Sequence, residues 1–156
     1  MNATMTSQEL NGFAVDGSQF LTFALSDEEY GIEILRVQEI KGFSRITPIP
    51  NTPHYLKGVM NLRGTVVPVV DLRARFGLPE TEYNQFTVII VVTVGKKVMG
   101  LVVDAVSDVL HIVPSEIEAP PELGLGVDTS FMTGMAKAGE RLITLLNIDQ
   151  LLGGNL

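Results

Sequence analysis

The spacing of apolar and polar residues changes several times along the chain, and each change marks an element. Residues 19–25, QFLTFAL, alternate and run into the polar cluster Ser26-Asp27-Glu28-Glu29. This predicts a strand and a turn, with Gly31 to Leu35 as the returning strand. Val37 and Ile40 lie three apart and Gly42 follows, the spacing of one helical turn. The stretch ITPIPNTPHY (46–55) contains three prolines, each without a backbone donor, so it reads as an ordered connection or an edge. Residues 56–62 and 65–71 form a hairpin about Arg63-Gly64, and Leu72 to Phe76 a helical turn ended by Gly77-Leu78-Pro79.

The second half repeats that order. It reads as a strand over 86–94, a turn at Gly95-Lys96-Lys97, a strand over 98–103, a short helical stretch over 104–109 and a loop rich in Pro and Glu. A hairpin about Gly139-Glu140 follows, then a helix from Ile148 to Leu152 that stops at Gly153-Gly154. Residues 58–77 and 134–153 align without a gap: Val66, Val67, Val69 and Val70 answer Leu142, Ile143, Leu145 and Leu146, and Asp71 answers Asn147. Upstream, YGIEILRVQEI (30–40) answers MGLVVDAVSDV (99–109), and Phe20 answers Ile89. The chain is a duplicated unit, and the copies differ where Arg63 in the first faces Gly139 in the second.

A unit of roughly 70 residues is marginal alone, because so small a body buries too little of its surface. Two copies around one hydrophobic interface solve that difficulty. Two hairpins per unit with short helical punctuation predict a mainly β protein of two closed or nearly closed five-stranded barrels, with short helices including one at the C-terminus. The first barrel is expected over about 17–85 and the second over 86–156, with an exchange of strands between them left open, after a flexible segment 1–16.

Charge adds a division that the average hides. The net charge of −7 disfavours general binding to nucleic acid or anionic membranes. Between residues 32 and 75, however, seven basic residues face three acids, a net of +4, and between 80 and 135 eight acids face Lys96 and Lys97, a net of −6. Opposite local charges suit two faces for two partners. No apolar run approaches the roughly 18 residues of a spanning helix. The absence of cysteine removes disulfides and thiolate chemistry. The start MNATMTSQELNG lacks the pattern of a secretory signal, so a cytoplasmic location without membrane insertion is expected.

Catalytic candidates are few. His54 and His111 stand in unrelated loop contexts, where a solvated imidazole is commoner than a ligand. Asp104 and Asp108 share a face if 104–109 is helical, although solvated carboxylates at this spacing are commonplace. Gly124-Leu125-Gly126 lacks the basic residue and helix start of a phosphate cradle and reads as a flexible loop. Met60, Met99, Met132 and Met135 read as core filling. Recognition is better represented. Arg63 stands at a hairpin tip, where its guanidinium can offer a planar fork to a partner or pair with Glu39 as an ordinary surface arginine. Glu39 between Val37 and Ile40 gives the mixed apolar and charged surface of an interface core. Val106, Asp108 and Val109 take the equivalent places in the second copy.

Together, YGIEILRVQEI, NTPHYLKGVMNLRGTVVPVVDLR, GLVVDAVSDVL and TGMAKAGERLITLLNIDQLL resemble the CheW family of chemotaxis coupling proteins, over residues from about Gln19 to Leu152. The resemblance implies two SH3-like five-stranded barrels, no catalysis and no cofactor. It implies a cytoplasmic adaptor that joins the regulatory SH3-like domain of the histidine kinase CheA to the cytoplasmic tips of methyl-accepting chemoreceptors, recruited to membrane-associated receptor arrays. Carried onto this chain, receptor contact falls on Val37, Glu39, Arg63, Val88 and Val109, and kinase contact on Ile40, Lys57, Gly58, Gly64 and Val66. His54 and the GLGLG-like loop lie outside the family pattern. The rival reading is a small ligand- or metal-binding barrel enzyme using His54, Asp104 or Asp108.

Overall fold

The computed structural model describes residues 18–120 and 130–152. The segment expected to be flexible (1–16), the Gly124-Leu125-Gly126 loop and Gly153-Gly154 lie outside the described residues. The first copy supplies β1 (Ser18–Leu25), β2 (Glu28–Glu33), β3 (Val37–Gly42), β4 (Leu56–Leu62), β5 (Thr65–Asp71) and α1 (Leu72–Arg75). The second supplies β6 (Val88–Val94), β7 (Lys97–Val103), β8 (Ala105–Ile112), β9 (Ile117–Glu118), β10 (Met132–Ala138), β11 (Arg141–Leu146) and α2 (Ile148–Leu152).

These strands form two sheets, ordered β8-β1-β2-β11-β10-β9 and β3-β6-β7-β5-β4. The first hairpin of each copy therefore sits in the sheet otherwise built by the other copy. The registers match across the repeat. Gly31 of β2 lies parallel to Leu145 of β11, and Gly100 of β7 lies parallel to Val69 of β5. Both glycines are needed for close packing: a Cβ would stand 3.1 Å from Leu145 at Gly31 and 2.9 Å from Ile89 at Gly100. The helix starts also correspond. The Asp71 carboxylate accepts from the amides of Arg73 and Ala74, and the Asn147 side-chain oxygen accepts from the amide of Gln150.

Three apolar clusters follow from this arrangement. Phe20, Ala136, Ile143 and Leu145 pack together on one sheet, and Ile89, Met60, Val67 and Val69 pack together on the other at the equivalent positions. The largest cluster lies between the sheets, with Leu21, Phe23, Ile90, Val92 and Leu101 from the exchanged hairpins and Leu151 and Leu152 from α2. It joins the halves and buries surface that neither copy could bury alone.

Two expectations are corrected. The predicted helical turns at Val37–Ile40 and 104–109 are strands: β3 pairs with β6 and β8 pairs with β1. Each carries a register shift at the same place, between Val37 and Glu39 opposite β6, and opposite Leu21 and Phe23 of β1 in the second copy. The inserted residue leaves the strand's two apolar side chains, Val37 and Ile40 or Val106 and Val109, three positions apart, which imitates helical spacing. Ile34–Arg36, just before β3, forms a 3-10 turn, as does Pro114–Glu116 before β9.

The second correction concerns closure of the barrels, expected to be five-stranded and closed or nearly closed. Neither sheet closes, and one has six strands among the described residues. After β3 the chain returns only as the isolated bridge Thr47–Val59, with N···O distances of 2.8 and 2.9 Å. In the second copy, β9 makes the same return against Met135 and Ala136. Proline limits both returns, because Pro48 and Pro120 follow closely and cannot extend a ladder.

Candidate functional site

The β4–β5 turn is the most unusual local structure. Leu62 and Thr65 face each other across a two-residue turn in which Arg63 (φ 50°) and Gly64 (φ 89°) are both left-handed. Two successive positive φ values define the type I′ turn that fits strand twist. Asn61 supports it, its side-chain oxygen accepting from the Gly64 amide at 2.7 Å. Arginine is an uncommon occupant of left-handed backbone. At the matching place, Gly139 (φ 66°) takes the left-handed conformation without steric cost.

Arg63 reaches across to β3, where its two terminal nitrogens donate to the two carboxylate oxygens of Glu39, one at 3.3 Å and the other closer. These hydrogen bonds hold the Glu39 carboxyl below the usual carboxylate range. The arginine side chain is 70% exposed, so the pair contributes little to stability. Exposed aliphatic groups flank it: Ile40 follows Glu39 and is 43% exposed, and Val66 follows the turn and is 66% exposed. Gly64 lies open in the turn. The Arg63–Glu39 pair thus links β3, at one end of the five-stranded sheet, to the β4–β5 turn at the other, with Ile40, Gly64 and Val66 next to the pair in sequence.

The other expected site residues stand apart from it. Lys57 pairs with Glu80 at 3.6 Å. Gly58 is buried, and a Cβ there would stand 2.0 Å from the Thr47 carbonyl oxygen, so its smallness lets the edge segment cross β4. Val37 and Val88 are half-buried against the central cluster. Val109 is 48% exposed on β8, in the six-stranded sheet.

Val109 belongs to a second surface built like the first. Asp108 precedes it as Glu39 precedes Ile40, and Asp108 accepts from Arg141 at 2.9 and 3.1 Å and from the Thr22 hydroxyl at 2.5 Å. Arg141 also grips Glu29 at 2.6 and 2.9 Å. Its hydrogen bonds lower the carboxyl pKa of both acids and raise that of the guanidinium. Leu142, the counterpart of Val66, is 49% exposed. Each copy thus presents an exposed aliphatic pair beside an arginine–carboxylate bridge. The bridging arginine stands on the turn in the first copy and on strand β11 in the second. The repeat alignment of Val66 with Leu142 carried the signal for Leu142, but Arg141 has no basic counterpart, because Thr65 stands in its place.

The catalytic candidates are held by structural bonds. Asp104 accepts from the nearly buried Arg73 at 2.7 Å and from the Ser26 amide at 2.7 Å, while Arg73 also donates to the Pro79 carbonyl and the Ser26 hydroxyl. The β8 strand removes the shared helical face of Asp104 and Asp108. A His54 ring nitrogen lies 3.1 Å from the Ala74 carbonyl. No group of three or more His, Cys, Asp or Glu suited to a metal occurs among the described residues. The enzyme reading is not favoured.

The family model described as CheW-like domain matches residues 19–155. The chain is 45% identical to the chemotaxis protein CheW of Klebsiella aerogenes over 97% of its own length and 91% of that protein. It is 32% identical to protein FrzA of Myxococcus xanthus, covering 86% of this chain and 84% of that one. Among solved structures, the crystal structure of the scaffolding protein TtCheW from Thermoanaerobacter tengcongensis superposes with a TM-score of 0.82 at 35% identity, over 90% of this chain and 97% of that chain.

Proposed function

The chain belongs to the CheW-like domain family and is a chemotaxis coupling adaptor; we propose that the partners it joins are the regulatory domain of CheA and the cytoplasmic tips of methyl-accepting chemoreceptors. The observation that carries this reading is the pair of like-built surfaces, one on each copy, since a protein that joins two others needs two docking edges. Each sheet, with its edge segment folded back at Thr47 or β9, acts as an SH3-like docking module.

Kinase contact is assigned to Ile40, Gly64 and Val66, and to Lys57 and Gly58 nearer the start of β4. Receptor contact is assigned to Val37, Val88 and Val109, with Glu39 and Arg63 at the boundary. A receptor tip is a helical hairpin, which can lay an apolar stripe against valines while an arginine–carboxylate pair fixes its register. Signalling then requires no bond chemistry in this chain. The adaptor transmits a change between arrangements of its partners to the extent that it binds those arrangements unequally. No helix among the described residues is long and apolar enough to cross a membrane, so recruitment to the receptor array rests on docking.

The test is size-exclusion chromatography of the full chain with CheA and a receptor signalling-tip fragment. A single peak containing all three supports the reading. A chain that enters either binary complex but never the ternary one overturns it.

A further inference from the structure

Where β2, β11 and the ends of both helices meet, the surface opens into a groove of about 430 Å³, within the range of roughly 300–1,000 Å³ usual for ligand sites. Its floor is aromatic, with Tyr30 stacked on Phe76 at 5.5 Å between ring centroids and Phe76 against Phe131 at 5.2 Å. Among the described residues no carboxylate lines it, and Arg75 is its one cation. That arginine has no acidic partner among the described residues. Its guanidinium lies over the Tyr55 ring at 5.2 Å and reaches only the Leu151 carbonyl, at 3.4 Å. The Tyr30 and Thr144 hydroxyls and the Gln150 side-chain amide, also in the lining, have no hydrogen-bond partner among the described residues. Burial, with the charge of Glu28, pushes the Tyr30 ionisation upward, so its hydroxyl stays a neutral donor.

In a protein of net charge −7, a groove with an aromatic floor, a cation without an acidic partner and three polar side chains without hydrogen-bond partners among the described residues selects an apolar group attached to an anion. Its openness along the surface, and amide and hydroxyl groups able to meet a backbone, suit a peptide. We propose that the groove docks an acidic amphipathic peptide segment of a partner, an aromatic or long aliphatic side chain beside a carboxylate. The groove shares no residue with either docking surface, so a peptide there can be held while both edges are occupied. Because its walls come from both copies, a bound peptide also ties the halves together.

The experiment titrates the nitrogen-15-labelled full chain with the peptide acetyl-Glu-Phe-Asp-amide, its uncharged Gln-Phe-Asn analogue, and phenylacetate. The expected result is saturable amide shifts at Tyr30, Phe76, Phe131 and Thr144 with the acidic peptide. Affinity should fall about tenfold with the uncharged analogue and with Arg75→Gln. Arg75→Lys should be intermediate, and it replaces Arg75→Gln should that variant melt early. Shifts that are absent, that centre on Ile40 and Val66, or that are unchanged in affinity by the loss of Arg75 overturn the proposal. Phenylacetate binding as tightly as the peptide overturns the peptide assignment.

Discussion

Replacing Gly58 by alanine should damage the fold at the point where the first copy's edge segment crosses β4. An added Cβ would lie 2.0 Å from the Thr47 carbonyl oxygen, 2.6 Å from its carbon and 2.9 Å from the Pro48 Cα. All three are backbone atoms, so no side chain can swing aside, and the two Thr47–Val59 hydrogen bonds of 2.8 and 2.9 Å must break. Two backbone hydrogen bonds are worth about 2 kcal/mol together. Holding alanine at φ 143° adds about 1–3 kcal/mol, and the loss of unfolded-state entropy returns about 0.4–1 kcal/mol. The net is about 3 kcal/mol, or a fall in Tm of about 6–12 °C for a chain of this length.

Thermal melts followed by circular dichroism read this directly, with Gly64→Ala as the control. Gly64 is also left-handed (φ 89°), but its Cβ would meet nothing within 4 Å, so only the backbone term of about 1–2 kcal/mol applies. A Gly58→Ala protein melting within about 2 °C of the parent would refute the reasoning. CheA binding measured at low temperature, where the variant is still folded, tests whether this glycine also docks the kinase. Affinity lost from a protein with a native spectrum would make Gly58 a docking residue as well as a structural one.

Arg73→Gln should lower stability by about 2–3 kcal/mol, because it removes the fork joining Asp104, Ser26 and Pro79 in a nearly buried site; denaturant melts give the value. Glu29 and Asp108 have folded pKa values below their unfolded ones, so the stability they contribute is present above the ordinary carboxylate range and is lost as pH falls below it. The parent should lose stability from about pH 5 downward, and Arg141→Gln should show a shallower loss over the same window in pH-dependent melts. Val66→Glu and Leu142→Glu change exposed side chains and should leave Tm within about 2 °C of the parent. The first should weaken binding to CheA, and the second should spare that binary complex while weakening capture of a receptor signalling-tip fragment in pull-downs.

Hairpins and helix ends were legible because local chemistry fixes them: Arg63-Gly64 and Gly139-Glu140 turn where expected, and α2 runs from Ile148 to Leu152. The matched bulges in β3 and β8 were not, since one extra residue makes Val37 and Ile40, or Val106 and Val109, look helical. Strand alternation tells which face is buried but not which neighbour a strand chooses, so the order of the two sheets had to come from the structure. The pairing of Glu39 with Arg63 was readable from the tip position. The Arg141 bridge to Glu29 and Asp108 joins residues 112 and 33 positions apart in the sequence, and no local pattern announces it.

The central claim is that Arg63 serves recognition and that the fold does not need it. Arg63→Gly, which places in the first copy the residue that the second already has, tests this in one preparation. Glycine relieves the left-handed backbone, and the exposed pair with Glu39 contributes little, so Tm should match or exceed that of the parent. Receptor-coupled CheA activity measured with that protein should fall well below the level reached with the parent. A variant that melts normally and supports full coupled activity would contradict the account.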